Sequence, residues 1–346
     1  RKPGGVGISL PGNLLANYIS DHQEPIRALF VNSGNPVLTI GGEAAMRDAL
    51  TSLELLVCVD ISRNATAEYA DYVLPAAGAF EREDINITGI GLQFEPSVQF
   101  TEAMVPPAYE RKPDWWIYEK LCQTMSLQSA FDADENPNMW ARVDAMLRSQ
   151  GRSMRELRAE NIIALERSRP EEFYDRYLQH EDKHVDCCPE IFAEAQTRME
   201  EIFVDLETAP GDQLKLISKR DQYMMNSWYS NLPKLKRRDR DRNYLFMHPL
   251  DAEKRQVVDG SEVSVSNEHG TISAPVRLTE ELMPGVVAMT HGWGHRDARG
   301  MRVAGEKHGV NCNALLPSGP GSFEPLSNQG HMTGIPVEVK PLAATA

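Results

Sequence analysis

Three short stretches of this 346-residue chain carry residue types and spacings suited to chemistry. Asn32-Ser33-Gly34-Asn35-Pro36 joins a glycine, which lets a ligand come close to the backbone, to two carboxamides that donate and accept hydrogen bonds. Asp60 ends the next apolar run. A carboxylate there can accept from a ribose hydroxyl pair or from the N1–H and N2–H₂ edge of guanine; it can equally cap a following helix. Ser218 to Ser227 sets Lys219 and Arg220 behind an apolar run, where two cations and hydroxyl or backbone donors can neutralise a diphosphate. On residue types alone a basic surface turn is the better reading there. His291-Gly292-Trp293-Gly294-His295 spaces two histidines four apart, but its glycines oppose the helix that a zinc-binding HxxxH face requires. A glycine-rich loop touching a ligand is the better reading.

Other candidates carry less. Glu81 and Glu83 read as a solvated face rather than an acid/base pair. His184-Val185-Asp186-Cys187-Cys188 reads as a helix junction, because adjacent cysteines chelate poorly. The alternating charges of Lys234 to Arg242 read as a solvated loop. The five cysteines form no CxxC pair, so neither a zinc site nor an iron–sulfur ligand set is legible. Neither GxGxxG nor a GxSxG elbow is present.

The elements that must hold these residues follow from periodicity. Ala28 to Val31 and Leu55 to Val59 are bounded apolar runs, and Glu43 to Leu53 places Ala45, Met46, Ala49, Leu50 and Leu53 on one helical face. With a third strand at Asp71 to Leu74, this predicts a buried parallel sheet whose ligands sit beyond the carboxyl ends of its strands, and hence a nucleotide site. Residues 1–24 read as glycine- and proline-rich, then weakly helical from about Asn13 to Asp21. Asp114 to Met125 reads as a helix capped by Asp114. Charged helices are expected over Met139–Arg148, Met154–Arg167, Pro170–His180 and Pro189–Val204. Beyond Pro210-Gly211 the pattern turns to period two, from Leu214 and Leu216 to Val337 and Val339, with turns at Glu268-His269-Gly270 and Met283-Pro284-Gly285. That predicts a sandwich or barrel. The expected segments are 1–126 (α/β), 127–210 (helical connector) and 211–346 (mainly β).

Composition excludes some functions. A hydrophobic share of 41% and a charged share of 25% are ordinary for a soluble globular protein, and the net charge of −14 opposes general nucleic-acid binding. No apolar run approaches the roughly 20 residues that cross a bilayer. Sparse cysteine fits a reducing, cytoplasmic location. The opening Arg1-Lys2-Pro3-Gly4-Gly5-Val6-Gly7 has neither Met nor a signal peptide, which suggests the C-terminal portion of a longer polypeptide.

Taken in order, three blocks resemble the C-terminal half of the molybdopterin oxidoreductases, the dimethyl-sulfoxide-reductase superfamily, nearest to its formate-dehydrogenase-like members. They are Leu29 to Pro36; Val59 to Pro75, followed by Glu81-Arg82-Glu83-Asp84; and Leu214 to Ser227 with His248 to Ala252, Val257 to Gly270, Asn313 to Leu316 and Pro325 to Val339. The resemblance covers about three quarters of the chain; the connector is the unmatched part. It implies a Rossmann-like parallel-sheet α/β domain followed by a mainly-β double-psi barrel. It implies bis(molybdopterin guanine dinucleotide) holding molybdenum or tungsten, and a two-electron conversion of a small-molecule substrate. Gly34, Asn35, Asp60 and Asn64 would then hold a guanosine, with Asn35-Pro36 shaping the pocket. Lys219, Arg220, Ser227, His291, Gly292 and Asn313 would line the pterin and diphosphate, with Asn328 and Gln329 on the same surface. The family's metal ligand and iron–sulfur cysteines lie in its N-terminal half and match nothing here, so the chain alone is expected to be inactive. Electrons would pass through that cluster to a transfer partner. Two other readings stand beside this one: a non-catalytic binding or assembly protein reusing the domains, and an unrelated nucleotide-binding α/β protein with a barrel appendage.

Overall fold

The apolar runs pair as their bounded lengths require. In the computed structural model, which describes residues 10–86, 89–127, 139–167, 169–208 and 210–342, strand β1 (Ala28–Asn32) lies parallel to β2 (Leu55–Asp60), with Ala28 opposite Leu55 and Asn32 opposite Val59. With β3 (Tyr72–Pro75) they form a three-stranded sheet in the order β1-β2-β3. Helices α1 (Leu15–Ile19), α2 (Pro36–Thr39) and α3 (Glu43–Thr51) accompany it. Ile19, Val37, Leu38, Met46, Ala49, Leu50, Leu56 and Cys58 share one core. Ala45, expected on the buried face of α3, is exposed instead.

The contacts divide the chain into two compact units, residues 74–194 and residues 1–73 with 195–346. Within residues 74–194, strands β4 (Asp84–Ile85), β5 (Ser97–Thr101) and β6 (Ile162–Ala164) pair antiparallel in that order. Helices α4 (Asp114–Thr124), α5 (Met139–Arg148), α6 (Met154–Glu160) and α7 (Pro170–Tyr177) follow the same stretch of chain. Val98, Phe100, Val143, Leu147, Leu157 and Ile163 form its core, so the supposed connector packs against β5. The helix expected over Met154–Arg167 stops at Glu160, because Asn161 takes a left-handed φ of 62° and the chain turns into β6. Asp114 does not cap α4: Pro113 is the N-cap, and no side chain bonds the helix end. Helix α8 (Ile191–Thr208) starts two residues later and ends four residues later than expected.

The period-two segment closes on itself. Strands β7 (Leu214–Lys219), β8 (Leu245–Met247), β9 (Glu262–Asn267), β10 (Gly270–Leu278) and β11 (Val286–Thr290) make a closed barrel with a later strand, β14 (Ile335–Pro341). Its order is β10-β8-β11-β7-β14-β9. The β7–β11 and β8–β10 pairs are parallel and the other four antiparallel. Alternate residues Leu214, Leu216, Val263, Val265, Val337 and Val339 fill the interior, each contributing about 1.5–3 kcal/mol on burial. Glu268-His269 is the two-residue turn of the β9–β10 hairpin, as the sequence predicts. Short helices α9 (Pro249–Lys254) and α10 (Arg302–Glu306), and the hairpin of β12 (Phe323–Glu324) with β13 (Gln329–Gly330), lie between barrel strands in the chain.

Candidate functional site

The loops leaving β1 and β2 are zipped together by side chains. Asn35, buried at the start of α2, accepts at Oδ1 from Thr66 N (3.2 Å) and Thr66 Oγ1 (2.8 Å). Asn64 donates through Nδ2 to Gly34 O (3.0 Å) and Asp60 Oδ2 (3.1 Å), and its Oδ1 accepts from Thr66 N (3.0 Å) and Ala67 N (3.1 Å). The Asn64 amide is thus engaged at both ends inside the protein. Asp60 is half-buried and accepts at Oδ1 from Ser62 N (2.9 Å), closing a turn. It caps no helix, since the next regular element is β3. A Cβ on Gly34 would meet only ordinary contact, 3.4 Å from Val31 Cγ1, and Gly34 lacks a positive φ. Internal packing therefore does not require that glycine. Thr66, fully buried, organises both loops; it lies in the Val59 to Pro75 block but is not among the expected site residues.

In the barrel, β7 and β11 are parallel neighbours, with Met289 opposite Ser218 and Thr290 opposite Lys219. Their carboxyl ends therefore emit the Ser218–Ser227 strap and the His291–His295 turn side by side. Ser218 Oγ lies 3.0 Å from His291 Nδ1, and His291 Nε2 lies 3.1 Å from Asn226 Oδ1, which also accepts from Arg220 Nη1 (2.8 Å). An amide oxygen cannot donate, so Nε2 carries the histidine proton and the Ser218 hydroxyl donates to Nδ1. Burial, aided by Arg220, lowers the His291 pKa, so the imidazole is neutral near pH 7. Gly292 has φ 89°, and a Cβ there would stand 1.7 Å from Asn226 O; only glycine lets strap and turn meet. Ser227, half-buried, follows Asn226 on the strap. Lys219 Nζ lies 4.1 Å from the Phe246 ring centre. Among the described residues neither Lys219 nor Arg220 has a carboxylate partner. Both border a hollow of about 780 Å³, with Tyr223, Met225, Tyr229 and Phe246.

A polar seam joins the barrel to the α/β part of the same unit. Asn313 donates through Nδ2 to Leu38 O (2.9 Å) and Thr39 O (3.3 Å), and Asn311 donates to Glu43 Oε2 (2.7 Å). Arg47 bridges Glu43 (2.8 Å) and Asp297 (2.9 Å). Arg299 N donates to Glu68 Oε1 (3.0 Å), and a Cβ on Gly300 would strike Arg63 Cβ at 2.4 Å. Asn313 therefore ties the two parts together through its side chain. A second cavity, of about 740 Å³, opens on this seam beside Gly42, Arg47, His269, Arg296 and His308. Asn328 (φ 59°) and Gln329 sit in the β12–β13 hairpin, and their hydrogen bonds stay local, to Glu324, Ser327 and Met332. Among the described residues no group of three or more His, Cys, Asp and Glu side chains is placed to hold a metal ion.

Residues 214–330 match the family model of the molydopterin dinucleotide binding domain, and residues 8–124 that of molybdopterin oxidoreductase. Two family models of molybdopterin enzymes thus match separate parts of the chain. The thiosulfate reductase molybdopterin-containing subunit PhsA of Salmonella typhimurium is 22% identical over 337 residues, covering 90% of this chain and 43% of that protein. The dimethyl sulfoxide reductase DmsA of Escherichia coli is 23% identical over 317 residues, covering 80% and 38%. Acetylene hydratase from Pelobacter acetylenicus has the same fold, with a TM-score of 0.75 at 17% identity over 96% of this chain and 46% of that one. The chain spans about four-tenths of the length of the curated relatives it matches. The resemblance to the superfamily is thus borne out, as are a parallel sheet and a closed barrel. The strap and turn lie wholly inside the dinucleotide-binding match, while Asp60 and Asn64 lie in the other. The donor set fits a diphosphate-bearing group: two cations without carboxylate partners among the described residues, beside a loop that a single Cβ would close.

Proposed function

We propose that the chain is the dinucleotide-holding part of a molybdopterin-dependent oxidoreductase that carries out a two-electron conversion of a small molecule. The observation that carries this is the pair Lys219 and Arg220, without carboxylate partners among the described residues, beside the Ser218–His291–Asn226 hydrogen-bond chain in the dinucleotide-binding segment. The ligand proposed is bis(molybdopterin guanine dinucleotide) with molybdenum or tungsten; when bound it supplies the redox-active centre. This chain's residues bind and orient its nucleotide ends. Arg220, held by Asn226, presents its remaining N–H groups to a diphosphate, and Lys219 adds a second charge. Asp60 accepts from a guanine or ribose edge at the mouth of the β1–β2 loops, and Gly34 leaves room for the ligand to approach. Asn35, Asn64 and Pro36 act by shaping that mouth. Ser227, Gly292 and Asn313 serve the barrel side, and Asn328 and Gln329 extend it.

The finer reading is a formate-dehydrogenase-like reaction in a cytoplasmic enzyme, with an iron–sulfur cluster and an electron-transfer partner completing it. The F420-dependent formate dehydrogenase subunit alpha of Methanocaldococcus jannaschii is 24% identical over 292 residues, which supports that reading alongside sulfoxide and thiosulfate reduction. No helix among the described residues is long and apolar enough to cross a membrane. The test is the double variant Lys219→Ala/Arg220→Ala in the full-length protein. Metal by mass spectrometry and guanine nucleotide released by acid should fall together while the circular dichroism is unchanged. Wild-type contents of both would overturn the reading.

A further inference from the structure

Beneath the turn that carries His291 lies a set of buried polar groups that the proposed diphosphate contacts leave unused. Lys236 is 1% exposed; its Nζ meets the Met224 sulfur and stands 4.7 Å from the centre of the Trp293 ring. No carboxylate pairs with it among the described residues. Burial pushes its pKa down to about 8, with Asp221 opposing. The charged and titratable groups around it are Asp221 from the strap, His295 from the turn and Lys307 after α10, whose ammonium donates to the Lys236 carbonyl. His295 is kept neutral by burial, its pKa pushed down to about 4. Trp293 Nε1, His295 Nδ1 and Ser230 Oγ are buried without a hydrogen-bond partner. Met224 belongs to the strap and Ser230 follows it, and Trp293 and His295 belong to the turn. Lys236 therefore touches both of the segments that Gly292 and Asn226 bring into contact.

We infer that Lys236 is a positioning residue for the diphosphate site: it clamps the His291–His295 turn against the Ser218–Ser227 strap, and so fixes the arrangement of Arg220, Asn226 and His291. This rests on the diphosphate reading of that site. Attraction between a desolvated ammonium and an indole face joins turn to strap, and a neutral amine gives that attraction up. Lys236→Met keeps the length and the apolar contacts without the charge. Lys236→Arg keeps the charge at every accessible pH.

The experiment uses the full-length protein freed of its cofactor, with inorganic pyrophosphate as probe, across the pH range around 8. The Trp293 share of the fluorescence (wild type minus Trp293→Phe) should change through that range in the wild type and not in Lys236→Met. Wild-type affinity for pyrophosphate should exceed that of Lys236→Met by roughly 3–30-fold on the acid side, the gap closing on the alkaline side, with Lys236→Arg losing no affinity there. Lys236→Met should unfold at a temperature no lower than the wild type, because a buried unpaired charge has been removed. A merely structural lysine would instead cost stability and affinity together at every pH, and that result overturns the inference. An absent Trp293 transition overturns the clamp. Lack of pyrophosphate binding by the wild type, with the Trp293 transition intact, overturns the diphosphate reading on which the positioning role depends.

Discussion

Replacing Gly292 by alanine should damage both stability and anion binding, and its cost can be worked from two separable parts. The backbone there has φ 89°, which an L-residue adopts at about 1–2 kcal/mol. The added Cβ would stand 1.7 Å from Asn226 O and 2.6 Å from its carbonyl carbon, both backbone atoms that a rotamer change cannot move aside. Overpacking of that kind costs about 1–3 kcal/mol, for a total of about 2–5 kcal/mol. Gly285 supplies the control: its φ is 87°, yet a Cβ there meets nothing within 4 Å. Gly285→Ala should therefore show the backbone part alone, about 1–2 kcal/mol. Urea unfolding of the full-length protein and the two variants gives the comparison through the shift in midpoint. The strap displaced by Gly292→Ala carries Arg220 and Asn226, so pyrophosphate affinity should fall in that variant and stay unchanged in Gly285→Ala. Equal stability of the two variants would refute the contact between strap and turn, and with it the account of how the cation pair is held.

Asn64→Ala leaves Gly34 O and Ala67 N without their side-chain partner, and Thr66 N with Asn35 Oδ1 alone, and should cost about 1–3 kcal/mol by thermal unfolding; no loss would mean that the β1 and β2 loops hold together without it. Asp60→Ala in the full-length protein should lower guanine nucleotide content and, by releasing Ser62 N and Asn64 Nδ2, lower the melting temperature; unchanged content would leave Asp60 as a turn residue. Arg158 holds Glu83 through two bonds of 2.7 Å while stacking 4.7 Å from the Phe100 ring centre, and it keeps the Glu83 carboxyl below the usual glutamate range. A carboxyl with a lowered folded pKa adds stability that is fully present above the unfolded value of about 4.3 and fades as pH falls through the folded value. Arg158→Met should therefore flatten the acid-side decline of stability, and identical slopes in wild type and variant would refute the pairing.

Local order in the chain fixes much of this fold. Bounded apolar runs specify β1, β2 and their parallel pairing, and strict alternation from Leu214 to Val339 specifies inward-facing strands, because side-chain direction follows directly from backbone period. The Glu268-His269 hairpin is legible for the same reason. Misread elements are those where a tertiary partner outweighs propensity: Ile162–Ala164 is a strand because β5 offers it a hydrogen-bonding edge, and Ala45 is exposed although it shares a helical face with Met46. Among site residues, the sequence marks Lys219, Arg220, His291, Gly292 and Asp60 by type and by position after an apolar run. It cannot show that Asn226 joins Arg220 to His291, or that Asn313 ties the barrel to α2, since these contacts span 65 and 275 residues of chain. Nor does it single out Lys236, which reads as one more charge in a basic run. Only the packing of Trp293 and Met224 around that amine decides that it is buried. The sequence by itself determined which groups are available and on which faces; closure of the barrel decided which of them meet, because it sets the carboxyl ends of β7 and β11 side by side.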